Sequence, residues 1–409
     1  MKIIIIGGGI IGLSSALYLQ SAGHNITIVD RTDMLNGCSY GNAGYICPSH
    51  FVPLATPGIV WQGLKWMLNS KSPFYIKPSL NSSLVKWGLQ FYKSATTSHV
   101  EKSAVPLRDI ALLSKHLYEE WTKLPGLEFS YDPTGMLELF QREASAHHAE
   151  HTIKAAKELG IDAQLIDKAT LQQMEPDTEI NALGAVYFPG DAQLYPNQLM
   201  SSLITYLKSK GVIFEGNREV TGFTKNGVIT SKGNIEADHI IVAAGVWSGE
   251  LAKLLNLNIP MVGGRGYSVT YEDAPWKVRR SVILSEARVA ISPMNGNKIR
   301  FGGTMEITPV NTPPRMERVQ GILESVKRYF PAYDIPLPTQ DKVWYGYRPC
   351  SADGLPHIGT LKNYPNVTVA TGHSMLGISL GAATGKLVSE IINGDQLSMD
   401  ITPFRVDRF

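Results

Sequence analysis

The sequence predicts an α/β fold whose principal sheet, a parallel one, is assembled from both ends of the chain. Three observations predict it. The first thirty residues read as strand, glycine turn, helix and strand, a βαβ unit. In the middle, residues 238–244 read as a buried strand running into Gly245. Near the end, 367–370 read as another strand, followed by a turn over 372–377 and a helix over 378–392 stopped by Gly394. Short unbroken apolar runs of this kind suit strands buried on both faces.

Taken in order, residues 3–6 are all isoleucine and follow Lys2. The run is too short for the apolar core of a signal peptide and ends in Gly7, Gly8 and Gly9, so it reads as a strand entering a turn. A helix is expected over 11–19, with Ala16, Leu17 and Leu19 apolar and Gly23 as its stop. Residues 26–29 form the next strand. A loop rich in Gly, Ser, Asn and Pro then runs from Asn36 to about Pro57. The stretch 61–92 carries Trp61, Trp66 and Trp87 among apolar neighbours at helical spacing. It reads as helices packed over a pocket, because prolines interrupt it and it lacks a dense Lys/Arg face. A membrane-surface patch is the other reading. Further helices are expected over 143–159, ending near Gly160, and over 197–210, ending at Gly211. No repeat, low-complexity tract or linker interrupts the chain.

Composition narrows the function classes. The chain has 409 residues, 44% of them hydrophobic, enough for a large core and against wholesale disorder. A net charge of +2 supplies no basic field for nucleic acid. Cys38, Cys47 and Cys350 are odd in number, far apart and never paired as C-x-x-C. That argues against a disulfide framework or a zinc site and fits a reducing, cytoplasmic setting. No apolar run reaches ~18 residues, so no spanning helix is expected. His147 and His151 stand four apart with His148 between them, but no third ligand joins them, so an exposed helix face is expected and no metal.

The glycine turn is specific in its context. Gly7-x-Gly9-x-x-Gly12 lies between a strand and a helix opened by Ile10 and Ile11. Gly7 permits the tight turn, Gly9 lets a pyrophosphate approach the backbone, and Gly12 lets the helix pack on the sheet. The helix N-terminus then offers unpaired N–H groups to the phosphates. Asp30, with Arg31 after it, ends the second strand about 20 residues on, where a carboxylate bonds ribose hydroxyls and repels the extra phosphate of NADP. The competing reading is a glycine-rich turn without ligand. The fingerprint alone does not separate NAD from FAD.

Later segments do, through a resemblance. Beside Gly7–Gly12 and Asp30, the chain carries the loop 38–44 (Cys-Ser-Tyr-Gly-Asn-Ala-Gly) and the strand-turn 242–248 (Val-Ala-Ala-Gly-Val-Trp-Ser). Arg348-Pro349 with 353–359 (Asp-Gly-Leu-Pro-His-Ile-Gly) and Gly372-His373 through Gly377 follow. In order and spacing these resemble the D-amino-acid oxidase/glycine oxidase superfamily of flavoproteins, most closely its D-amino-acid dehydrogenase branch, from end to end. The resemblance implies FAD. It implies a discontinuous FAD-binding Rossmann-like domain (1–50, 190–260 and 345–409) and an α+β substrate domain with a mostly antiparallel sheet (51–189 and 261–344). Ser39, Asn42, Ala43 and Gly44 would wrap the pyrophosphate and flavin, Val220 would lie beside adenine, and Ala244, Gly245 and Trp247 would complete the cofactor wall. Gly372 with Leu376, Gly377, Ile378 and Ser379 would bring a helix N-terminus to the flavin, stabilising negative charge there by ~0.3–2 kcal/mol.

The same resemblance implies a substrate that is an amine bearing a carboxylate. Arg grips a carboxylate through two parallel hydrogen bonds, and Arg348, in Gly346-Tyr347-Arg348-Pro349, is the expected anchor. Tyr267 is either a second donor or a core residue. His50 and His373 either line the pocket or are satisfied structural histidines. Glycine oxidases often carry Arg where this chain has Met375, which makes glycine oxidase itself the weaker match. Cys350 does not match the offset of the cysteine that tethers FAD in sarcosine-oxidase relatives, so FAD is expected to be non-covalent. The expected reaction is hydride transfer from the α-carbon of a D-amino acid, D-proline or hydroxy-D-proline to flavin N5, with no dedicated base. Electrons would pass to a quinone or other carrier, with peripheral contact at the inner membrane face. The alternatives are a glycine- or sarcosine-type oxidase using oxygen and a non-catalytic dinucleotide-binding protein.

Overall fold

The computed structural model describes residues 1–67, 69–77, 81–310 and 312–409. Its parallel sheet runs in the order Ile213–Glu215, Asn25–Val29, Lys2–Ile6, His239–Val242, Tyr364–Thr371 and His357–Leu361. All neighbours pair in parallel except the last two strands, which are antiparallel. The beginning, middle and end of the chain thus meet side by side, as the apolar runs predict. The isoleucine run explains itself in register. Ile3 and Ile5 belong to one apolar cluster, with Leu13, Ala16 and Leu17 of helix Ile10–Ser21. Ile4 and Ile6 point to the opposite cluster, with Ile240, Val242 and Val369. Because both faces are covered, alternate residues have no reason to be polar.

The first helix lies against the C-terminal helix Gly377–Asn393, and small residues set how closely they approach. A Cβ at Gly385 would stand 2.6 Å or less from the Ser14 backbone, and one at Gly381 would stand 2.8 Å from Ile10 Cγ1. Glycines at 23, 160, 211 and 394 adopt positive φ just past helix ends, as expected of stop signals.

The second sheet is mixed but mostly antiparallel among the described residues. Its order is Trp344–Ser351, Met261–Tyr271, Ile299–Ile307, Val289–Pro293, Ser281–Leu284, Met136–Phe140, Gly184–Phe188 and Gln164–Asp167, with Phe74–Ile76 added alongside Ile299–Ile307. Only Ser281–Leu284 with Met136–Phe140, and Ile299–Ile307 with Phe74–Ile76, are parallel.

Two segments sit differently from the expected division. Helix Thr97–Trp121, inside 51–189, packs on the C-terminal helix of the parallel-sheet unit, where the Tyr118 hydroxyl donates to Ile378 O (2.7 Å). Its Leu107, Ile110, Ala111, Leu117 and Trp121 belong to the same core as Ile3 and Ile5. Strand Trp344–Ser351, assigned to the 345–409 portion, pairs along its length with Met261–Ser268 of the other sheet. The apolar face of a helix says that it needs a partner, not which sheet supplies it.

The 61–92 stretch forms helices Ile59–Trp66 and Ser82–Ser94. Trp87 is buried and donates through Nε1 to Cys350 O (3.0 Å), whereas Trp61, Leu64, Val85, Leu89 and Tyr92 face outward and are exposed. No described helix is long and apolar enough to cross a membrane.

Candidate active site

The glycine turn is tight for steric reasons visible atom by atom. Gly7 has φ +114°, and a Cβ there would be driven into the Ala243 carbonyl. A Cβ at Gly12 would overlap the Gly7 carbonyl oxygen. Gly12→Val should therefore abolish retention of the dinucleotide on gel filtration, whereas a variant still carrying a full complement would show the turn to be dispensable. The Gly8 amide donates to Asp30 Oδ2 (2.8 Å), while Asp30 Oδ1 accepts from the Thr32 amide and hydroxyl (2.8 Å each). The Ser39 hydroxyl accepts from the Ile10 amide (3.0 Å), so the loop is tied to the start of the first helix.

Neither this helix nor the C-terminal one is capped by its own N-cap residue, Gly9 and Leu376 respectively, although Ser39 takes the Ile10 amide of the first. Both open on one cavity of about 2050 Å³. Two helix N-termini at one cleft suit a ligand with phosphates at one end and a negatively polarised ring at the other, so these residues fit a flavin dinucleotide. Gly7, Gly9, Ile10, Ile11, Asp30, Arg31, Ser39, Asn42, Ala43, Val220, Ala244, Gly245, Trp247, Leu376, Gly377 and Ile378 all border the cavity. Arg31 lies 4.6 Å over the Trp247 ring.

Four of the expected contact residues stand behind the wall instead. Gly12 is the helix–strand contact. Gly44, at φ +83°, presses on the Leu194 carbonyl, and Gly372, at φ +81°, packs on His357. The Ser379 hydroxyl accepts from the Cys47 amide (3.0 Å). They shape the site without facing it.

Arg348, Tyr267, His50 and His373 border the same cavity. Arg348 Nη1 donates to Thr304 O (2.6 Å), and its guanidinium occupies the space that a side chain at Gly266 would fill. Thr304 adopts φ +66°, a left-handed backbone that strains a β-branched residue. No carboxylate pairs with Arg348 among the described residues; its titratable neighbours are the thiols of Cys38 and Cys350, both held neutral by burial. Burial lowers its pKa, but a guanidinium starts so high that it keeps its charge.

Of the two readings left open for Tyr267, its bonds match the core one. Its hydroxyl donates to Glu306 Oε2 (2.6 Å) and accepts from the Arg315 amide (3.0 Å). His373 is a structural histidine. Its Nε2 bonds Thr384 Oγ1 (2.9 Å), and burial pushes its pKa down to about 3, so it stays neutral. His50 Nδ1 lies 3.1 Å from Ser49 Oγ, and burial lowers its pKa too. Cys350 is buried, with its thiol pushed up to about 11 by burial. His147, His148 and His151 are all exposed, His147 near Glu150 and the other two at the rim of the cavity.

Three charged residues escaped the sequence reading. Arg300 donates to Tyr40 O (2.8 Å), Asn42 O (2.6 Å) and Asn197 Oδ1 (2.9 Å), pinning the flavin loop to the second sheet. Asp191 is buried against Ser49, and Glu306 is buried among three arginines. The available signal was a charge inside an apolar run, as in Ile299-Arg300-Phe301 and Met305-Glu306-Ile307. A charge in a buried strand needs a partner or a task.

The model of the FAD dependent oxidoreductase (DAO) family matches residues 2–391. The chain belongs to this family. It is therefore a FAD-dependent oxidoreductase. Among curated relatives, a D-amino acid dehydrogenase of Helicobacter pylori is 32% identical over 95% of this chain and 94% of its own. One from Granulibacter bethesdensis is 28% identical over the full length of both. Among solved structures, glycine oxidase from Geobacillus kaustophilus superposes with a TM-score of 0.78 at 23% identity, covering 100% of this chain and 99% of that one. L-proline dehydrogenase from P. horikoshii superposes at 0.76 with 18% identity, covering 100% and 97%. These structural likenesses establish the fold.

Proposed function

We propose that this flavoenzyme oxidises a D-amino acid or a cyclic imino acid such as D-proline or hydroxy-D-proline. The observation that carries the reading is Arg348, a half-buried residue whose guanidinium faces the cofactor cavity with no acid beside it among the described residues. A substrate carboxylate satisfies that charge, and the planar fork fixes its orientation. FAD, bound non-covalently, supplies the two-electron acceptor for hydride leaving the α-carbon. The residues named above do the rest. Arg348 positions the substrate through its carboxylate, with Thr304 O fixing the guanidinium. The uncapped start of helix Gly377–Asn393 favours negative charge at the ring end of the cavity by ~0.3–2 kcal/mol. An imine forms from the neutral amine; water converts it to a 2-oxo acid, whereas a cyclic imine persists.

For the acceptor we favour a quinone or comparable carrier reached by a cytoplasmic enzyme touching the inner face of the membrane. Helices Ile59–Trp66 and Ser82–Ser94 support this. Gly63, Trp66, Trp87 and Phe91 border the cavity, Trp61, Leu89 and Tyr92 are exposed, and Val60 and Leu64 do both. No Asp or Glu occurs between positions 34 and 100, a stretch carrying Lys65, Lys77, Lys86 and Lys93 besides Lys71, which pairs with Glu324. Such a surface suits an anionic bilayer.

The purified protein should be yellow and should bleach anaerobically with D-proline or D-alanine in a panel of D- and L-amino acids. Reoxidation should be faster with a soluble quinone than with oxygen. Bleaching by no amino acid would discard the substrate class, and faster reoxidation by oxygen would make the enzyme an oxidase.

A further inference from the structure

An amino acid arrives with its nitrogen protonated, and an ammonium group has no lone pair to drive hydride departure. Hydride transfer itself is expected to need no base, but a group that takes this proton inside the site would speed the reaction at neutral pH. A hydrogen-bonded chain reaching the cavity has the geometry to do so. His50 borders the cavity, and its Nδ1 stands 3.1 Å from Ser49 Oγ. Ser49 Oγ stands 2.6 Å from Asp191 Oδ2, and the Ser49 amide donates to Asp191 Oδ1 (3.2 Å). We propose that His50 accepts the substrate ammonium proton through Nε2, and that Ser49 and Asp191 relay it away. The proposal rests on the amino-acid reading above.

The directions of the bonds fix the tautomer. Ser49 has one hydroxyl proton, and the short contact to a carboxylate claims it. Its oxygen must then accept from His50 Nδ1–H, leaving the lone pair on Nε2. That nitrogen has no hydrogen-bond partner among the described residues. The transfer balances without electrons. The substrate N–H breaks as Nε2–H forms, the Nδ1 proton moves to Ser49 Oγ, and the Ser49 proton moves to Asp191 Oδ2. One cation and one carboxylate become a neutral amine and a neutral acid.

The surroundings suit both end states. Burial raises Asp191 to about 7, partly offset by its bonds from Ser49, and Lys115 of helix Thr97–Trp121 also favours its ionised form. Cys47 and Tyr131 are its other titratable neighbours. Facing His50 are Glu138 of strand Met136–Phe140, which favours the imidazolium, and Arg288 of the turn before Val289–Pro293, which opposes it. Burial makes neutral imidazole the resting form, so the base is available near neutrality. Asp191 does not border the cavity and Ser49 acts through His50, so both are positioning residues.

The test is anaerobic stopped-flow reduction of the holoenzyme by D-proline across pH, for wild type, His50→Gln, Ser49→Ala and Asp191→Asn. Losing the base should slow flavin reduction near neutral pH by about 10²–10⁴-fold. The inflection should move up toward the ionisation of the free ammonium, so that the rate recovers in alkaline buffer. Ser49→Ala should show a smaller loss with its inflection moved in the same direction, and Asp191→Asn should do likewise if it folds. An unchanged rate in His50→Gln, or a uniform loss with the inflection unmoved, would overturn the proposal. A second readout needs no turnover. In ¹⁵N-histidine spectra His50 should be neutral with its proton on Nδ1, and a proton on Nε2 instead would overturn the tautomer on which the relay depends. Wild type that no amino acid bleaches overturns the substrate reading first, and that result is seen before any variant is made.

Discussion

Replacing Arg348 with alanine should raise KM for the amino acid about 100- to 1000-fold while FAD stays bound. The magnitude follows from losing a two-bond, charge-assisted grip on a carboxylate that has left water, on the order of 3–4 kcal/mol at about 1.4 kcal/mol per tenfold. Nothing else described near the guanidinium takes its place. Tyr267 spends its donor on Glu306, and position 375 is a methionine. Arg348→Lys should recover only part of the loss, because an ammonium restores charge but not the planar fork. Steady-state kinetics read the effect, with flavin absorbance of the desalted protein as the control. An unchanged KM in Arg348→Ala would remove the residue from substrate binding, and loss of FAD would place it with the cofactor instead.

Glu306→Gln should destabilise the protein by about 3–5 kcal/mol, the penalty for leaving buried charge unpaired. Glu306 is fully buried. Arg265 meets its Oε2 through Nε (3.0 Å) and Nη2 (2.7 Å), and Arg318 approaches Oε1 at 3.3 Å. Arg265 and Arg318 are buried as well, and Arg315 lies 3.9 Å away. One carboxylate therefore holds two buried guanidinium groups, and the amide that replaces it would present both with a neutral partner. The damage should reach the substrate site. Glu306 shares strand Ile299–Ile307 with Thr304, whose carbonyl holds Arg348, and Arg318 also clamps Ser72 O (2.6 Å). The thermal midpoint of the FAD-saturated variant should fall by several degrees, with a raised KM for the amino acid. A midpoint matching wild type would mean that the arginines find other partners. The exposed pair Arg279–Asp177 is the control, and breaking it should leave the midpoint unmoved.

The legible parts of the site are those whose determinants lie within a few residues of one another. The Gly7–Gly12 turn, Asp30 at the end of the second strand and the start of the C-terminal helix could be placed from local order alone. The reason is steric: a missing Cβ, a positive φ or an apolar run constrains the backbone wherever the rest of the chain goes. The rest of the expected cofactor wall came from the family resemblance rather than from local sterics, and of the residues expected there Gly12, Gly44, Gly372 and Ser379 pack one layer behind the cavity. Telling a lining residue from its support requires knowing what lies on the other side of it.

The substrate half was read mainly through Arg348, and its partners were not legible. Ser49 meets Asp191 across 142 positions, Arg300 reaches the flavin loop across 258 and 260, and Tyr267 finds Glu306 across 39. Helix Thr97–Trp121 shows an apolar face but not the sheet that receives it. Backbone sterics and apolar alternation act locally, and so they can be read along the chain. The pairing of buried charges is long-range: it depends on strand order and register in the second sheet, and a one-residue slip there would turn each of these groups to the opposite face.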